Sequence, residues 1–468
     1  ATVIGGASTV TVNHVDGIYY NSTLIITNGG GAVNAGTNFQ AYALAGSGNL
    51  ALGGTNKLSL YHAGTFSGTL SLNGAGLNLG AAGALGTGNL VLKGGSIDVA
   101  NASALGTGSI SVSSNTTTIN NTGVLSNLTG NNAFNLNGGW STLQINGYGK
   151  VLNFGTGNVA VTGSNNLNAW NGGIQFDGVI SGSGLINWYG GGTLVFGAAN
   201  TFSGTVTASG NNGTLTLAHA NALMNATLNK GTNHSISFAV PGNNTYNLAS
   251  LTGAGDIELA GNTLNVTNGG TYSGKISGSG GITVSGGALN LSGSNAYTGP
   301  TFVSQGSLTL GANLQSTNVT VASGAQLLMP LGASLPGSLN FAGSSARYGV
   351  ANPGVFSGVV TVLTAGSILG TPVLDPPING YTLSNKGTSL VLEPSVLPTI
   401  TSASSITYSY GSAFSYQIAT SGSATSYSAV GLPPGLTLNT TTGLITGTLS
   451  APTNTVVQIS AINSAGTN

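Results

Sequence analysis

Charged residues are nearly absent from this chain. Only 3% of its 468 residues are Asp, Glu, Lys or Arg, against roughly 25% in ordinary soluble domains. Seven basic and seven acidic side chains give a formal net charge of zero. With no basic patch to neutralise a run of phosphates or an anionic lipid surface, the composition excludes nucleic-acid binding and polybasic membrane attachment. The same scarcity leaves little like-charge repulsion to oppose self-association.

Cysteine and long apolar runs are absent as well. Without cysteine the chain has neither disulfides nor thiolate chemistry. No apolar run approaches the roughly 20 residues of a membrane-spanning helix, so we expect no membrane insertion. The sequence begins at Ala1 without a basic and apolar leader, which suggests a processed form. Hydrophobic residues still make up 40%, enough to build a core and to argue against disorder.

Glycine and short alternating runs are abundant. The chain has 79 glycines, and up to about residue 394 it contains runs such as Leu70-Ser71-Leu72, Leu90-Val91-Leu92 and Leu289-Asn290-Leu291. Alternation of apolar and polar residues predicts short strands with one buried face. Clusters of Gly, Asn and Ser separate the runs and supply tight turns. The abundance of Asn also favours side-chain ladders between stacked strands. The pattern predicts an all-β fold.

A short repeat fixes the distance between equivalent strands. The pentapeptide Ala-Leu-Gly-Thr-Gly at 84–88 recurs at 104–108, an offset of 20 residues. The flanking residues match at the same offset, because Leu77-Asn78-Leu79 corresponds to Ile97-Asp98-Val99. A repeat of this length is typical of a solenoid, in which each turn contacts only its neighbours.

A longer unit recurs four times. It opens with an apolar residue and a small-Gly-small-Gly run, and it closes with an aromatic-Ser/Thr-Gly triplet. The spacing from opening residue to aromatic is 22 for Leu44 to Phe66 and Ile180 to Phe202, and 21 for Leu251 to Tyr272 and Ile276 to Tyr297. A constant length of chain per unit predicts a parallel β-helix, or β-solenoid, over residues 41–394. At roughly 20 to 25 residues per turn, it would have about 16 to 20 turns and a length on the order of 80 to 95 Å.

Two stretches carry a family resemblance. Residues 276–311 closely resemble the autotransporter-associated β-strand repeat, and residues 180–206 resemble it too, with Thr193-Leu194-Val195-Phe196 before Asn200-Thr201-Phe202-Ser203-Gly204. The glycines, the aromatic and the strand pairs follow one fixed order. The resemblance implies a passenger-type β-helix that is secreted or displayed on a bacterial cell surface.

The sequence pattern changes in the C-terminal part of the chain. Residues 380–392 look like the hairpin that closes such arrays. Residues 395–398, which lie between Pro394 and the end of this segment at Pro398, are interpreted as a linker because prolines end ladder pairing. Residues 399–468, with Gly431-Leu432-Pro433-Pro434-Gly435-Leu436 followed by Thr442-Gly443-Leu444-Ile445-Thr446-Gly447, are similar to the immunoglobulin-like, cadherin-related modules of large bacterial surface proteins. The resemblance implies a small β-sandwich.

The sandwich is expected to lack its last strand, because the chain stops after the strand and turn at 459–467. An unpaired sheet edge invites strand addition from another chain. The N-terminal run Ser8, Thr9, Val10, Thr11 and Val12 has the alternation of a donor strand, so residues 1–40 are interpreted as a cap or assembly segment. Head-to-tail donation would generate a filament. The alternative is that the chain is a fragment of a longer polypeptide.

No catalytic, cofactor-binding or metal site is predicted. Asp256 and Glu258 share a strand face, but no Arg or His is near them in sequence, so they are interpreted as solvated carboxylates rather than a glycosidase pair. The remaining acids are isolated in sequence and the histidines lack ligand spacing.

The three tryptophans are the candidate ligand surface. Trp140, Trp170 and Trp188 lie in one stretch of the chain. Exposed together, they would form a stacking platform for sugar rings. The alternative is that these aromatics stack in or cap the core.

The leading hypothesis is therefore a non-catalytic extracellular structural protein. It would be a subunit of a bacterial surface fibre, filament or sheath, with no cofactor and with copies of itself as its main partner. An adhesin stalk or passenger domain that binds extracellular or cell-surface polysaccharide is the alternative. A β-helix polysaccharide lyase or hydrolase is a remote third.

Overall fold

Alternating apolar residues build short strands whose apolar side chains face inward. A computed structural model describes residues 2–6, 8–12, 22–409, 411–422, 424–463 and 466–468. In the strand Thr69–Asn73 the side chains of Leu70 and Leu72 are fully buried, whereas Ser71 between them is partly exposed. This pattern recurs along the chain, and the described residues contain no helix.

The described chain divides into two units. The first comprises Ala1–Phe302, Gly306–Leu308 and Leu314–Ser316, and the second comprises Val303–Gln305, Thr309–Asn313 and Thr317–Asn468. The strands of the first unit are β1 (Thr2–Ile4), β2 (Ser8–Val12), β3 (Leu24–Ile26), β4 (Gly31–Ala35), β5 (Phe39–Ala41), β6 (Leu44–Gly46), β7 (Leu50–Gly54), β8 (Lys57–Leu60), β9 (Thr65–Phe66), β10 (Thr69–Asn73), β11 (Gly76–Leu79), β12 (Asn89–Leu92), β13 (Gly95–Val99), β14 (Ile110–Val112), β15 (Thr116–Asn120), β16 (Phe134–Leu136), β17 (Ser141–Asn153), β18 (Val159–Val161), β19 (Ser164–Phe176), β20 (Ile180–Gly182), β21 (Leu185–Trp188), β22 (Thr193–Phe196), β23 (Thr205–Ala208), β24 (Thr214–Leu217), β25 (Leu223–Lys230), β26 (Ser235–Phe238), β27 (Thr245–Gly253), β28 (Ile257–Glu258), β29 (Thr263–Val266), β30 (Gly269–Tyr272), β31 (Ile276–Ser277) and β32 (Gly281–Leu291).

One strand, β33 (Thr301–Leu310), has residues in both units. The strands of the second unit are β34 (Asn318–Ala322), β35 (Gln326–Pro330), β36 (Ala333–Ala342), β37 (Arg347–Ala351), β38 (Val360–Leu369), β39 (Val373–Leu374), β40 (Tyr381–Asn385), β41 (Ser389–Pro394), β42 (Thr399–Ile400), β43 (Ala413–Gln417), β44 (Thr420–Ser421), β45 (Ser426–Val430), β46 (Leu436–Leu438), β47 (Leu444–Thr448), β48 (Gln458–Asn463) and β49 (Gly466–Thr467). Counted along the chain, the solenoid makes about 17 turns.

Parallel pairing between successive turns defines the first unit. Leu70 of β10 lies between Leu50 of β7 and Leu90 of β12, so like residues stack one turn apart. The repeat read from the sequence has the same register, because Leu77 pairs with Ile97 and Leu79 with Val99. The all-β solenoid predicted from the spacing of the repeats is therefore confirmed.

Glycine in the longer unit permits close contact between turns. In the second copy, the amide of Ser203 donates to the carbonyl of Gly182, one turn earlier, at 2.9 Å. Gly182 has a φ of 98°, which a side chain would strain. A Cβ on Gly204 would overlap the carbonyl oxygen of Gly184. The equivalent bond recurs in the other three copies, from Ser67 to Gly46, Ser273 to Gly253 and Thr298 to Gly278.

A buried asparagine precedes the aromatic residue in two copies of this unit. Asn200 is 3% exposed and accepts a hydrogen bond from the amide of Ile180 at 2.8 Å while it donates to the carbonyl of Ala222 at 3.0 Å. One side chain thus connects three successive turns. Asn295 accepts in the same way from the amide of Ile276. The aromatic residues that follow, Phe202 and Tyr297, are buried.

Asparagine ladders line the outside of the turns. The amide of Asn265 donates to Asn247 at 2.8 Å, and that of Asn247 donates to Asn221 at 2.6 Å. A second ladder runs from Asn146 to Asn120 and on to Asp98. These ladders confirm the interpretation that the abundance of asparagine serves contacts between turns.

The second unit begins with parallel strands and ends with antiparallel ones. β34 pairs with β36 and β35 pairs with β37 in parallel. β40 and β41 then form an antiparallel hairpin, and β41 also pairs antiparallel with β38. This hairpin lies where the sequence predicts a closing one. The remaining strands form small antiparallel sheets, β42-β44, β43-β47-β46 and β45-β48-β49, around buried Ile418, Ile445 and Ala461.

The N-terminal segment is already part of the strand ladder. β2, the predicted donor strand, pairs in parallel with β4 from Ser8 opposite Gly31 to Val12 opposite Ala35. β4 pairs in turn with β7. The ladder of the described residues therefore extends into the segment 1–40 that the sequence sets apart as a cap. At the other end, Gly466 and Thr467 fold back onto Asn463 and Ile462 of β48.

We predict that Gly204→Ala destabilises the first unit by about 1–3 kcal/mol, because the new methyl group has to displace the backbone of Gly184. Gly191→Ala is the matched control. The backbone φ of Gly191 lies outside the left-handed region. The atom nearest to a Cβ built at this position is Cβ of Asn211, 3.9 Å away. Urea unfolding of the full chain measures both. Equal free energies of unfolding for the two variants would contradict the role assigned to the glycine contact.

Candidate functional site

A gap in one strand ladder opens a cleft in the first unit. On this face, β22 pairs with β24 and β24 pairs with β26. The next strand, β28, has only two residues and pairs with β31 on its far side; no pairing with β26 occurs among the described strands. Ile236 and Phe238 of β26 are consequently half-buried, whereas Leu215 and Leu217 of β24, their partners, are buried.

The cleft is open to solvent and has a volume of about 540 Å³. Residues 232–236 line one side, residues 254–258 line the other, and Ser277 completes the wall. Most of these residues are polar. A gap in the solenoid wall thus brings together side chains from two successive turns.

His234 is the most buried polar side chain of the lining. Its ring is 4% exposed and lies edge-on to the indole of Trp188, with ring centroids 6.4 Å apart. Neither ring nitrogen has a hydrogen-bond partner. Burial lowers the pKa of His234, and the charge of Lys230 lowers it further, whereas the nearby carbonyl of Gly190 opposes the shift without reaching hydrogen-bonding geometry. Both ring nitrogens are buried, and Nε2 lies beside Gly213 of the preceding turn, so they do not face the open cleft.

Lys230 occupies a position that is apolar in the turns before it. The register places Trp188 opposite Ala208, Ala208 opposite Lys230, and Lys230 opposite Gly253. The side chain is fully buried, and its Nζ donates to the carbonyl of Gly231 at 2.6 Å. Burial lowers the pKa of Lys230, and the charge of Asp256 partly offsets this. Lys230 is therefore a buried cation behind the cleft.

Two carboxylates stand at the mouth of the cleft. Asp256 and Glu258 are both exposed, with buried Ile257 between them, as expected for residues two apart in a strand. Asp256 accepts a hydrogen bond from the amide of Lys275 at 3.1 Å, and Glu258 accepts one from the hydroxyl of Ser277 at 2.6 Å. The Tyr272 phenol, whose pKa burial raises, donates to the carbonyl of Gly255 behind them. The two carboxylates thus give the cleft an acidic mouth.

The exposed carboxylates and hydroxyl groups of the lining can form hydrogen bonds. The described residues contain no group of three or more His, Cys, Asp or Glu that could hold a metal ion. Both carboxylates face water, whereas a glycosidase acid is held in an apolar pocket.

The structure separates the three tryptophans. Trp188 is fully buried, so the prediction that it belongs to a ligand surface is wrong; its position is an interior one in β21. Trp140 and Trp170 are 68% and 58% exposed. The amide of Trp140 bonds to Ser164, six residues before Trp170 along β19, so the two tryptophans are not register partners in adjacent turns.

Sequence reasoning missed Lys230 and His234. A signal for Lys230 exists, because Ala226, Leu228 and Lys230 follow the alternation of buried residues in β25. A lysine at an inward position of a strand is a departure from that pattern. His234 follows a Gly-Thr-Asn turn and has no comparable signal, since its burial depends on the turn that precedes it in the stack.

One comparison with known proteins gives a match. Residues 397–468 match the family model described as Putative Ig domain. Neither the curated proteins nor the solved structures include a match to the chain. In the part of the chain that the structure describes, no helix has the length and apolar character needed to cross a membrane. A β-solenoid and an Ig-like domain in one chain suggest an extracellular structural or adhesin-like protein.

We predict that Lys230→Met stabilises the first unit at pH 7 by on the order of 1 kcal/mol, because a buried ammonium is replaced by an apolar chain of similar size. The pKa of Lys230 is lowered from its ordinary 10.5 in the folded state. Between the lowered value and 10.5 the unfolded chain binds more protons, so the stability of the parent rises with pH. The stability advantage of Lys230→Met over the parent should therefore shrink as the pH rises from the lowered pKa toward 10.5.

Urea unfolding at several pH values between 7 and 10.5 measures this effect. Lys275→Met is the control, because Lys275 is exposed, and it should change stability little at any pH. An advantage of Lys230→Met that stays constant up to pH 10.5 would contradict the assignment of a buried cation.

Proposed function

We propose that this chain is a non-catalytic extracellular structural protein of a bacterial surface, a passenger-type β-helix of the autotransporter-associated kind that assembles with copies of itself. The observation that carries the proposal is the stack of parallel turns held by glycine contacts, in which each turn bonds to the next through its backbone. Such a stack resists bending and stretching without any bound group. The scarcity of charge removes a barrier to close packing between copies.

The ends of strand ladders are the proposed contact points. β2 pairs with β4 on one side, and no described strand pairs with its other edge. β48 pairs with β45 from Gln458 to Ile462, but β49 pairs only with Ile462 and Asn463 of β48. Strand addition at one or both edges would join copies end to end, and a repeated head-to-tail contact produces a filament. Donation of β2 itself to another copy would require β2 to leave β4.

An adhesin-like role is the second candidate. It is favoured by exposed aromatic side chains at one corner of the solenoid, where Trp170 is 58% exposed and Tyr148 54%. Tyr148 also has a φ of 47°, which is costly for a bulky residue. Exposed aromatic rings stack on the apolar faces of sugars. In this role the solenoid would be a stalk that presents a polysaccharide-binding surface.

We predict that the purified full chain forms filaments visible by negative-stain electron microscopy. The double variant Thr9→Lys/Thr11→Lys, which places two charges at exposed positions of β2, should reduce polymer mass sharply, because charged side chains on an edge strand disfavour strand addition. The double variant Thr69→Lys/Ser71→Lys adds the same charges to β10, which is paired on both sides, and should still polymerise. Sedimentation measures the polymer fraction; a parent that sediments as discrete monomers would contradict assembly.

A further inference from the structure

The ring of His234 is enclosed by the backbone of preceding turns. The residue is 4% exposed, and neither of its ring nitrogens has a hydrogen-bond partner. A Cβ built on Gly213 would lie 3.0 Å from Nε2 and would overlap the carbonyl oxygen of Gly190, so the ring packs tightly against both glycines. The neutral ring is tolerated in this place, whereas a positive ring would be buried without a hydrogen-bond acceptor, at a much higher cost.

The charged groups around His234 do not compensate a positive ring. Lys230 of β25 is a fully buried cation, and its charge disfavours a second cation nearby. Asp256 and Glu258 lie across the cleft on β28, but both are exposed to water, which screens their charge. The glycines and the indole that enclose the ring carry no charge. Burial, and after it the charge of Lys230, lowers the pKa of His234 accordingly.

The strand that follows this histidine is held from one side only. The amide of Ser235 donates to the carbonyl of Gly213 at 2.9 Å, and the amide of Ala239 donates to that of Leu217 at 3.0 Å. Both bonds lead to β24, and no pairing of β26 with β28 occurs among the described strands. A short strand with a single partner opens at a lower free-energy cost than one paired on both sides. Because His234 directly precedes β26, its ring leaves the interior only if the start of the strand moves with it.

We propose that acidification opens the first unit at β26: His234 takes up a proton, its ring leaves the interior, and β26 separates from β24. Above pH 6.5, the ordinary pKa of histidine, neither the closed nor the open form binds this proton, and opening is rare. Below 6.5 the open form binds a proton that the closed form excludes. The opening equilibrium therefore increases about tenfold for each pH unit, until the pH reaches the lowered pKa of the closed form.

Opening changes what this wall of the solenoid presents to solvent. The edge of β24 that accepts from Ser235 and Ala239 in the closed form becomes free, and an unpaired edge is a template for strand addition. Lys230 and Trp188, which are fully buried in the closed form, gain access to water. The first unit thus acquires an additional strand edge in acid. The proposal rests neither on assembly at neutral pH nor on the binding of a glycan.

Hydrogen exchange of the full chain, followed by mass spectrometry between about pH 7.5 and pH 5, tests the proposal. Protection factors, which correct for the pH dependence of intrinsic exchange, are compared for residues 231–240 and 214–218. The protection of 231–240 should be about tenfold lower at pH 5.5 than at pH 7.5. That of 214–218, whose amides bond to the turn before, should stay constant. The range ends near pH 5 because carboxyl groups ordinarily titrate near about 4.

Two variants and a control identify the group responsible. In His234→Gln, which binds no proton in this range, the protection of 231–240 should not depend on pH. His62→Gln removes an exposed histidine and should keep the profile of the parent. If His234→Gln does not fold, Lys230→Met takes its place, because removal of the neighbouring cation should make the loss of protection smaller. Protection of 231–240 that is independent of pH in the parent, or that falls equally in His234→Gln, overturns the proposal. So does a loss in Lys230→Met as large as in the parent.

Discussion

Close contact between a glycine and the backbone of the previous turn is the constraint on which the solenoid depends. At Gly204 the backbone lies against the carbonyl of Gly184, and Gly299 lies in the same way against Gly280. A side chain at these positions would push the turns apart and break the hydrogen bonds beside them. The contact explains why the unit recurs with a nearly fixed length while its other residues vary. It also explains why the chain needs so few charged residues, since hydrogen bonds of the backbone and of asparagine side chains satisfy the polar groups of each turn.

The cleft shows what happens where the regular strand ladder is interrupted. β28 is too short to continue the ladder of β26, and a lysine replaces the apolar residue that the column requires at position 230. Both changes cost stability, because they expose Ile236 and bury an ammonium group. They occur in adjacent turns, close to a histidine without hydrogen-bond partners. Departures from a regular pattern often coincide with functional sites, which is why the cleft is the candidate site of the first unit.

The sequence predicted the fold well and the candidate site poorly. Repeat spacing determines register, so Leu77 opposite Ile97 could be read directly from the chain. Whether a given tryptophan is buried could not be read from the sequence. Trp188 and Trp170 both lie in strands, and only the position of a corner decides which one points inward. The cleft could not be predicted either, since it exists because β26 and β28 do not pair with each other. Asp256 and Glu258 were recognised as sharing a face, but their neighbours His234 and Lys230 are close only in space.

The register of the turns is the central claim, and engineered disulfides test it most directly in a chain without native cysteine. Ser71 pairs with Val91, and Val91 pairs with Ser111, all at partly exposed positions. Adjacent turns put Cα atoms about 4.8 Å apart, within disulfide range, and the next turn roughly doubles that distance. Under mild oxidation Ser71→Cys/Val91→Cys should lose two hydrogens by intact mass, whereas Ser71→Cys/Ser111→Cys should stay reduced within the monomer. The reverse result, or equal oxidation of both, would contradict the stacked register.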